Sequence, residues 1–215
     1  LGEITVSINF NGETKTEKVK IDWRLDNLDE NYIAEVMLIG SLEGGKEIRN
    51  TVSIINPNTI YFFDCSAEQN PPGVYFSLLS ASVKLLNTNA DQPYKSGGAG
   101  YSSSLGGTND NCDISTKSEG GNNIYSHGFW AHAGKSIDYK FDLQAGSYVV
   151  NEGFYEWWST QRNMKISVKA GNTEIQSKTF ILGSSDTMNQ QFVAFSLSSA
   201  QTITVSVSRT SGPDP

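Results

Sequence analysis

Two cysteines, two histidines and no basic cluster leave this 215-residue chain poorly supplied for disulfide, metal or nucleic-acid chemistry. Cys65 and Cys112 are too few for a disulfide scaffold; one bridge in an exported chain and two reduced thiols fit equally well. His127 and His132 stand five residues apart, which on an extended chain sends them to opposite faces and argues against a shared zinc ion. Lys and Arg number 16 against 23 Asp and Glu, a net charge of -7. That balance argues against nucleic acid and anionic membrane surfaces as partners. No apolar run approaches a membrane span, so no membrane insertion is expected. Only 18% of residues are charged, while Ser, Thr, Asn, Gly and Tyr are abundant, a composition that leans toward a secreted or cell-surface protein. No Asn-x-Ser/Thr sequon occurs. The chain opens at Leu1 and stops at Ser211-Gly212-Pro213-Asp214-Pro215, and is expected to be a piece of a longer protein.

What is present is strand after strand. Ile4, Val6, Ile8 and Phe10 alternate with polar residues up to Asn11-Gly12, a dipeptide suited to a two-residue hairpin. Further strands are predicted through Val19, Ile21 and Trp23, from Ile33 to Leu38, and from Ile48 to Ile55, a spacing that suggests a small sandwich. Asn56-Pro57-Asn58 ends the series, because proline cannot continue a ladder and biases its predecessor to extended geometry. A boundary is placed there, giving domains of 1–57 and 58–215. Three of the four tryptophans follow it. Tyr61-Phe62-Phe63 reads as a short strand, Val74 to Leu86 fits helix or strand, and Lys95 to Gly128 is a glycine-rich polar stretch without periodicity. Six alternating strands then follow, around Ile137–Phe141, Ser147–Val150, Lys165–Val168, Lys178–Ile181, Gln191–Phe195 and Ile203–Val207. Such a series fits a jelly-roll or related sandwich, so the fold class is all-β.

Several catalytic motifs fail on inspection. Gly134-Lys135-Ser136 has the ending of a phosphate loop, but Phe129 stands where that loop needs glycine, and a strand follows instead of a helix. No Gly-x-Ser-x-Gly elbow exists. Glu152 and Glu156 invite comparison with a glycosidase pair. Four residues of strand span roughly 13 Å, whereas such carboxylates work at about 5 to 9.5 Å. A hydrolase built on them would need an intervening bend. The Asn and Asp clusters at Asn87–Asp91 and Asn109–Asp113 lack the glycine and terminal glutamate of an EF-hand and read equally as turns.

The informative stretch is Gly153-Phe154-Tyr155-Glu156-Trp157-Trp158-Ser159-Thr160-Gln161-Arg162, with Tyr125 to His132 as its earlier counterpart. A sugar presents flat C–H faces that suit indole and phenol rings, and hydroxyls that suit Arg, Glu or His. Candidate stacking residues are Trp130, Trp157 or Trp158, Tyr94 and Tyr101, with His132, Glu156 and Arg162 reading hydroxyls. On an extended chain one of Trp157 and Trp158 would enter the core and the other would meet solvent or ligand. The competing reading packs the tryptophans in the core and sets Arg162 in a structural salt bridge with Glu156 beneath the turn.

With the Asn11-Gly12 hairpin, Val19-Lys20-Ile21-Asp22-Trp23 and Ile39 to Gly44, residues 1 to about 56 resemble the bacterial immunoglobulin-like spacers of secreted glycoside hydrolases. With Tyr61–Cys65, Leu86-Asn87, Asp91-Gln92, Gly146-Ser147-Tyr148 and the Glu156-Trp157-Trp158 to Arg162 block, the rest resembles malectin-like or galactose-binding-like modules attached to such enzymes. The resemblance implies a small Ig-like β-sandwich followed by a larger jelly-roll β-sandwich. It also implies a non-catalytic, secreted bacterial fragment that holds a glycoside hydrolase on polysaccharide. Many such modules carry a structural calcium ion and no catalytic cofactor; Asp91 is the candidate ligand here, and no metal site is assigned. The partners implied are polysaccharide or oligosaccharide and the catalytic domain of the same parent chain. The alternative is a structural or adhesive module that docks onto a neighbouring domain or surface protein without touching glycan.

Overall fold

The computed structural model describes residues 2–10, 13–24, 34–41, 47–54, 58–63, 65, 84–85, 92–104, 112–116, 127–184 and 188–211. Its two compact units are Leu1–Asn56 and Pro57–Pro215. The described residues are all-β and contain no helix, and nearly every strand pairing is antiparallel.

The first unit is a four-stranded meander of β1 (Gly2–Phe10), β2 (Glu13–Arg24), β3 (Ala34–Ser41) and β4 (Glu47–Ile54). Asn11 and Gly12 lie outside the described residues, but Phe10 pairs with Glu13, the register a two-residue hairpin imposes. β2 pairs with β1 as far as Ile21 and with β3 from Asp22 onward. One long strand thus serves two neighbours in succession.

Among the described residues the second unit has eleven strands: β5 (Tyr61–Phe62), β6 (Lys84–Leu85), β7 (Ala99–Tyr101), β8 (Cys112–Thr116), β9 (His127–Ala131), β10 (Ser136–Leu143), β11 (Gly146–Tyr155), β12 (Arg162–Ala170), β13 (Thr173–Leu182), β14 (Met188–Leu197) and β15 (Gln201–Ser211). One sheet has the order β13-β12-β15-β10-β7, and β11 pairs with β14 as a separate ribbon. The short pairs β5–β6, which is parallel, and β8–β9 complete the set.

Period-two alternation explains how the layers meet. Successive side chains of a strand point to opposite faces, so one apolar residue in two builds a single buried face. In register, Ile137 faces Val207, Tyr139 faces Val205 and Phe141 faces Ile203 across β10 and β15, while Ile166 and Val168 of β12 oppose Val207 and Val205. This face shares one core with Val193, Phe195 and Leu197 of β14, and Tyr148, Val150 and Phe154 of β11 pack against it. The second unit is therefore sandwich-like. Tyr61 and Phe63 extend the core, with ring centroids 5.7 Å from Phe141 in each case.

One feature departs from the sequence expectation. The stretch from Lys95 to Gly128, read as aperiodic, contributes β7 and β8 and the start of β9. β7 escaped notice because it is three residues long and carries glycine. Gly100 is required there: a Cβ would stand 2.5 Å from the Gln92 carbonyl oxygen, a backbone atom that Tyr101 N–H already uses as acceptor. The Trp157–Trp158 block, read in the sequence as lying near a turn, falls in the link between β11 and β12. Of the Val74–Leu86 stretch, only β6 lies within the described residues.

Ile166 is fully buried and central, whereas Ile181 on edge strand β13 is 57% exposed. Ile166→Ala is expected to lower unfolding free energy by about 2 to 5 kcal/mol, and Ile181→Thr to change it by less than about 0.5 kcal/mol. Urea denaturation of the two variants checks this.

Candidate functional site

The link between β11 and β12 carries the chain from the ribbon into the five-stranded sheet. Glu156 is 1% exposed and Arg162 6%, and the two form an ion pair between Glu156 Oε2 and Arg162 Nη1. Glu156 Oε1 also accepts the backbone N–H of Trp158 at 2.7 Å. Arg162 Nη1 donates to the Thr160 carbonyl at 3.0 Å, and the Thr160 hydroxyl donates to the Trp158 carbonyl at 3.0 Å. Between them Ser159 adopts φ 51°, the left-handed region that side chains other than glycine rarely occupy. Hydrogen bonds on both sides of Ser159 hold the link in that conformation.

Aromatic rings gather above this pair. Trp158 is 42% exposed, and the Arg162 guanidinium carbon lies 5.6 Å from its ring centroid, within cation–π range. Trp157 packs edge-on to Trp158 at 5.7 Å and 63°. Its ring lies on Gly128 of β9, where a Cβ would come within 3.2 Å of Trp157 Cη2. Trp130, two residues further along β9, reaches Trp158 at 6.3 Å and 67°, and His132 meets Trp130 at 4.5 Å and 64°. The structure therefore brings together Trp130, His132, Trp157 and Trp158, with Trp158 the most exposed ring and Trp157 half-buried.

The other candidates sit elsewhere or play a different part. Glu156 and Arg162, expected to read sugar hydroxyls, are both buried and engage each other and backbone groups of the link. Tyr94 is half-buried, with its hydroxyl donating to the Asp142 carboxylate (2.9 Å to each oxygen) and Lys140 Nζ 5.7 Å from its ring centroid. Asp142 also accepts from Thr202 Oγ1 and from Gly97 N–H, and these donors, Thr202 foremost, hold its carboxyl below the ordinary range. Tyr94 thus belongs to a staple that fixes the loop before β7 onto β10. Tyr101 packs edge-on against Phe129 at 6.0 Å. Phe129 and Trp130 are neighbours on β9 and point to opposite faces, so Tyr101 stands on the side away from Trp130.

Asp91, the proposed calcium ligand, lies outside the described residues, as do the side chains of Cys112 and His127. Among the described residues no three His, Cys, Asp or Glu side chains converge as a metal site would require, and no helix is long and apolar enough to cross a membrane. The chain matches no protein-family model, and no curated protein or solved structure is significantly similar to it.

Glu152 is a group whose environment sequence reasoning missed, although its position was readable. It falls on the inward row Tyr148, Val150, Glu152, Phe154 of β11, whose other members pack against the core. Its Oε2 is buried with no hydrogen-bond partner among the described residues. Desolvation pushes its pKa from 4.5 up to about 8. The consequence for stability follows from proton linkage. Below pH 4.5 the carboxyl is neutral in both folded and unfolded chains and costs nothing; between 4.5 and about 8 the unfolded chain releases the proton and the folded one keeps it. Stability therefore falls as pH rises through that window. Glu152→Gln should remove the slope, gaining on the wild type by about 1.4 kcal/mol per pH unit at most. Urea denaturation of both proteins from pH 4 to pH 9 checks this, parallel profiles being the contrary result.

Proposed function

We propose that the chain is a non-catalytic, two-module accessory fragment of a secreted or cell-surface bacterial glycoside hydrolase. Its second unit holds the enzyme on polysaccharide or oligosaccharide. In this reading the first unit is an Ig-like spacer and the second a jelly-roll carbohydrate-binding module. The catalytic domain of the same parent chain is the intramolecular partner, and any structural calcium involves Asp91.

One observation carries the reading: Trp158 keeps 42% of its surface exposed while its surroundings hold it in place. What supports a ligand role is the company of this ring: Trp158 is exposed on an ordered link with Trp130 and Trp157 packed beside it, and such a ring presents a flat apolar face. The C–H face of a pyranose suits that surface. Trp130 and His132 stand beside it, and the imidazole nitrogens are suited to hydroxyls. The Arg162 charge is matched by Glu156, so the surface offered to a ligand is built from rings and not from an unbalanced charge. A neutral sugar fits that surface.

Trp158→Ala is expected to abolish retardation of the protein in native gels containing the polysaccharide that the wild type binds. Its thermal midpoint should stay within about 4 °C of the wild type, the shift produced by roughly 1 kcal/mol in a chain of this size. Retardation should change little between low and physiological salt, because no ion pair forms with the ligand. Retardation that survives substitution of Trp130, Trp157 and Trp158 in turn would exclude this site. Failure to bind any polysaccharide would leave docking onto a neighbouring domain as the function to test.

A further inference from the structure

We infer that the buried Glu156–Arg162 pair is a positioning device for Trp158, holding its indole by one face so that the opposite face is presented, already oriented, to a ligand. The identity of the ligand as a sugar rests on the glycan-binding reading above; the clamp does not. Three contacts converge on the same residue. The guanidinium of Arg162 lies 5.6 Å from the Trp158 ring centroid, Glu156 Oε1 takes the Trp158 N–H at 2.7 Å, and Thr160, itself held by Arg162, donates to the Trp158 carbonyl.

A buried ion pair is a poor way to gain stability, since desolvating both charges offsets most of their attraction. Its particular capacity is geometric. The delocalised guanidinium lies over the Trp158 ring while its Nη1 bonds both the Glu156 carboxylate and the Thr160 carbonyl, a fixed fork that the flexible, compact ammonium of lysine does not reproduce. A ring held in this way loses little side-chain freedom when a ligand lands on it, and affinity gains accordingly. Neither charged residue touches the ligand. Both act through Trp158.

The test is Arg162→Lys, which keeps the charge opposite Glu156 and removes the plane. Indoles fixed at 5.7 Å and 63°, or at 6.3 Å and 67°, couple their excited states and give a paired circular-dichroism signal in the far ultraviolet. In a folded Arg162→Lys protein that signal should weaken, and retention by the polysaccharide that the wild type binds should fall roughly three- to tenfold, the cost of ordering one freed side chain on binding. An unchanged signal with unchanged retention would overturn the inference. Loss of the signal when the wild type itself retains no polysaccharide would support the clamp and overturn the glycan-binding reading alone. Should Arg162→Lys not fold, the wild type decides. Its Arg162 guanidinium protons should resonate upfield through the Trp158 ring current and return to ordinary shifts in Trp158→Ala. Signals at ordinary shifts in the wild type would overturn the clamp.

Discussion

The passage of the chain from one layer to the other, between β11 and β12, is the constraint on which the candidate site depends. A short link must leave the ribbon, turn through a left-handed residue at Ser159 and enter a central part of the five-stranded sheet. The Glu156–Arg162 pair sits across that crossing, one partner just after β11 and the other the first residue of β12. Because both are buried, removing either would strand a charge in a low-dielectric setting, a far larger penalty than loss of a surface pair. The aromatic surface above them inherits its geometry from this arrangement.

Around that crossing the second unit divides its polar groups by task. Asp142 gathers donors from Thr202, Tyr94 and Gly97, which secures the loop preceding β7 to the sheet. Asp138 receives the Ser206 hydroxyl at 2.5 Å, while its own N–H donates to Ser103 at 2.7 Å, tying the segment after β7 to the same strand. Both carboxylates serve the fold. Glu152 is the contrary case, an inward carboxyl among apolar neighbours whose desolvation favours the neutral form. Stability is thus given up at one position of an otherwise apolar row.

Alternation made much of the fold legible, because a strand with one buried face must place apolar residues two apart. The six strands expected from Ile137 onward correspond to β10 through β15, and the four expected before Asn56 to β1 through β4. Alternation carries no signal where that requirement lapses. β7 is short and glycine-bearing, β8 and β9 form a small ribbon, and none of them imposes a long apolar rhythm on the chain. At the Trp157–Trp158 link alternation is silent for a different reason: the hydrogen bonds that hold the link come from the Glu156 and Arg162 side chains.

By itself the sequence determined the all-β character of the described residues, where most of their strands run, and that indoles and polar groups concentrate between Gly153 and Arg162. It also contained the parity that places Glu152 on an inward row. Only the tertiary structure shows Glu156 and Arg162 buried and paired, since burial depends on what covers a residue and not on its neighbours in the chain. It likewise separated Tyr94, whose hydroxyl is taken by Asp142 forty-eight positions away, from the ring cluster. It selected Trp158 over Trp157 as the exposed ring, because Gly128 on a distant strand gives Trp157 a place to lie. Local periodicity encodes which face a residue occupies; the partner it meets there is set by contacts between strands far apart in sequence.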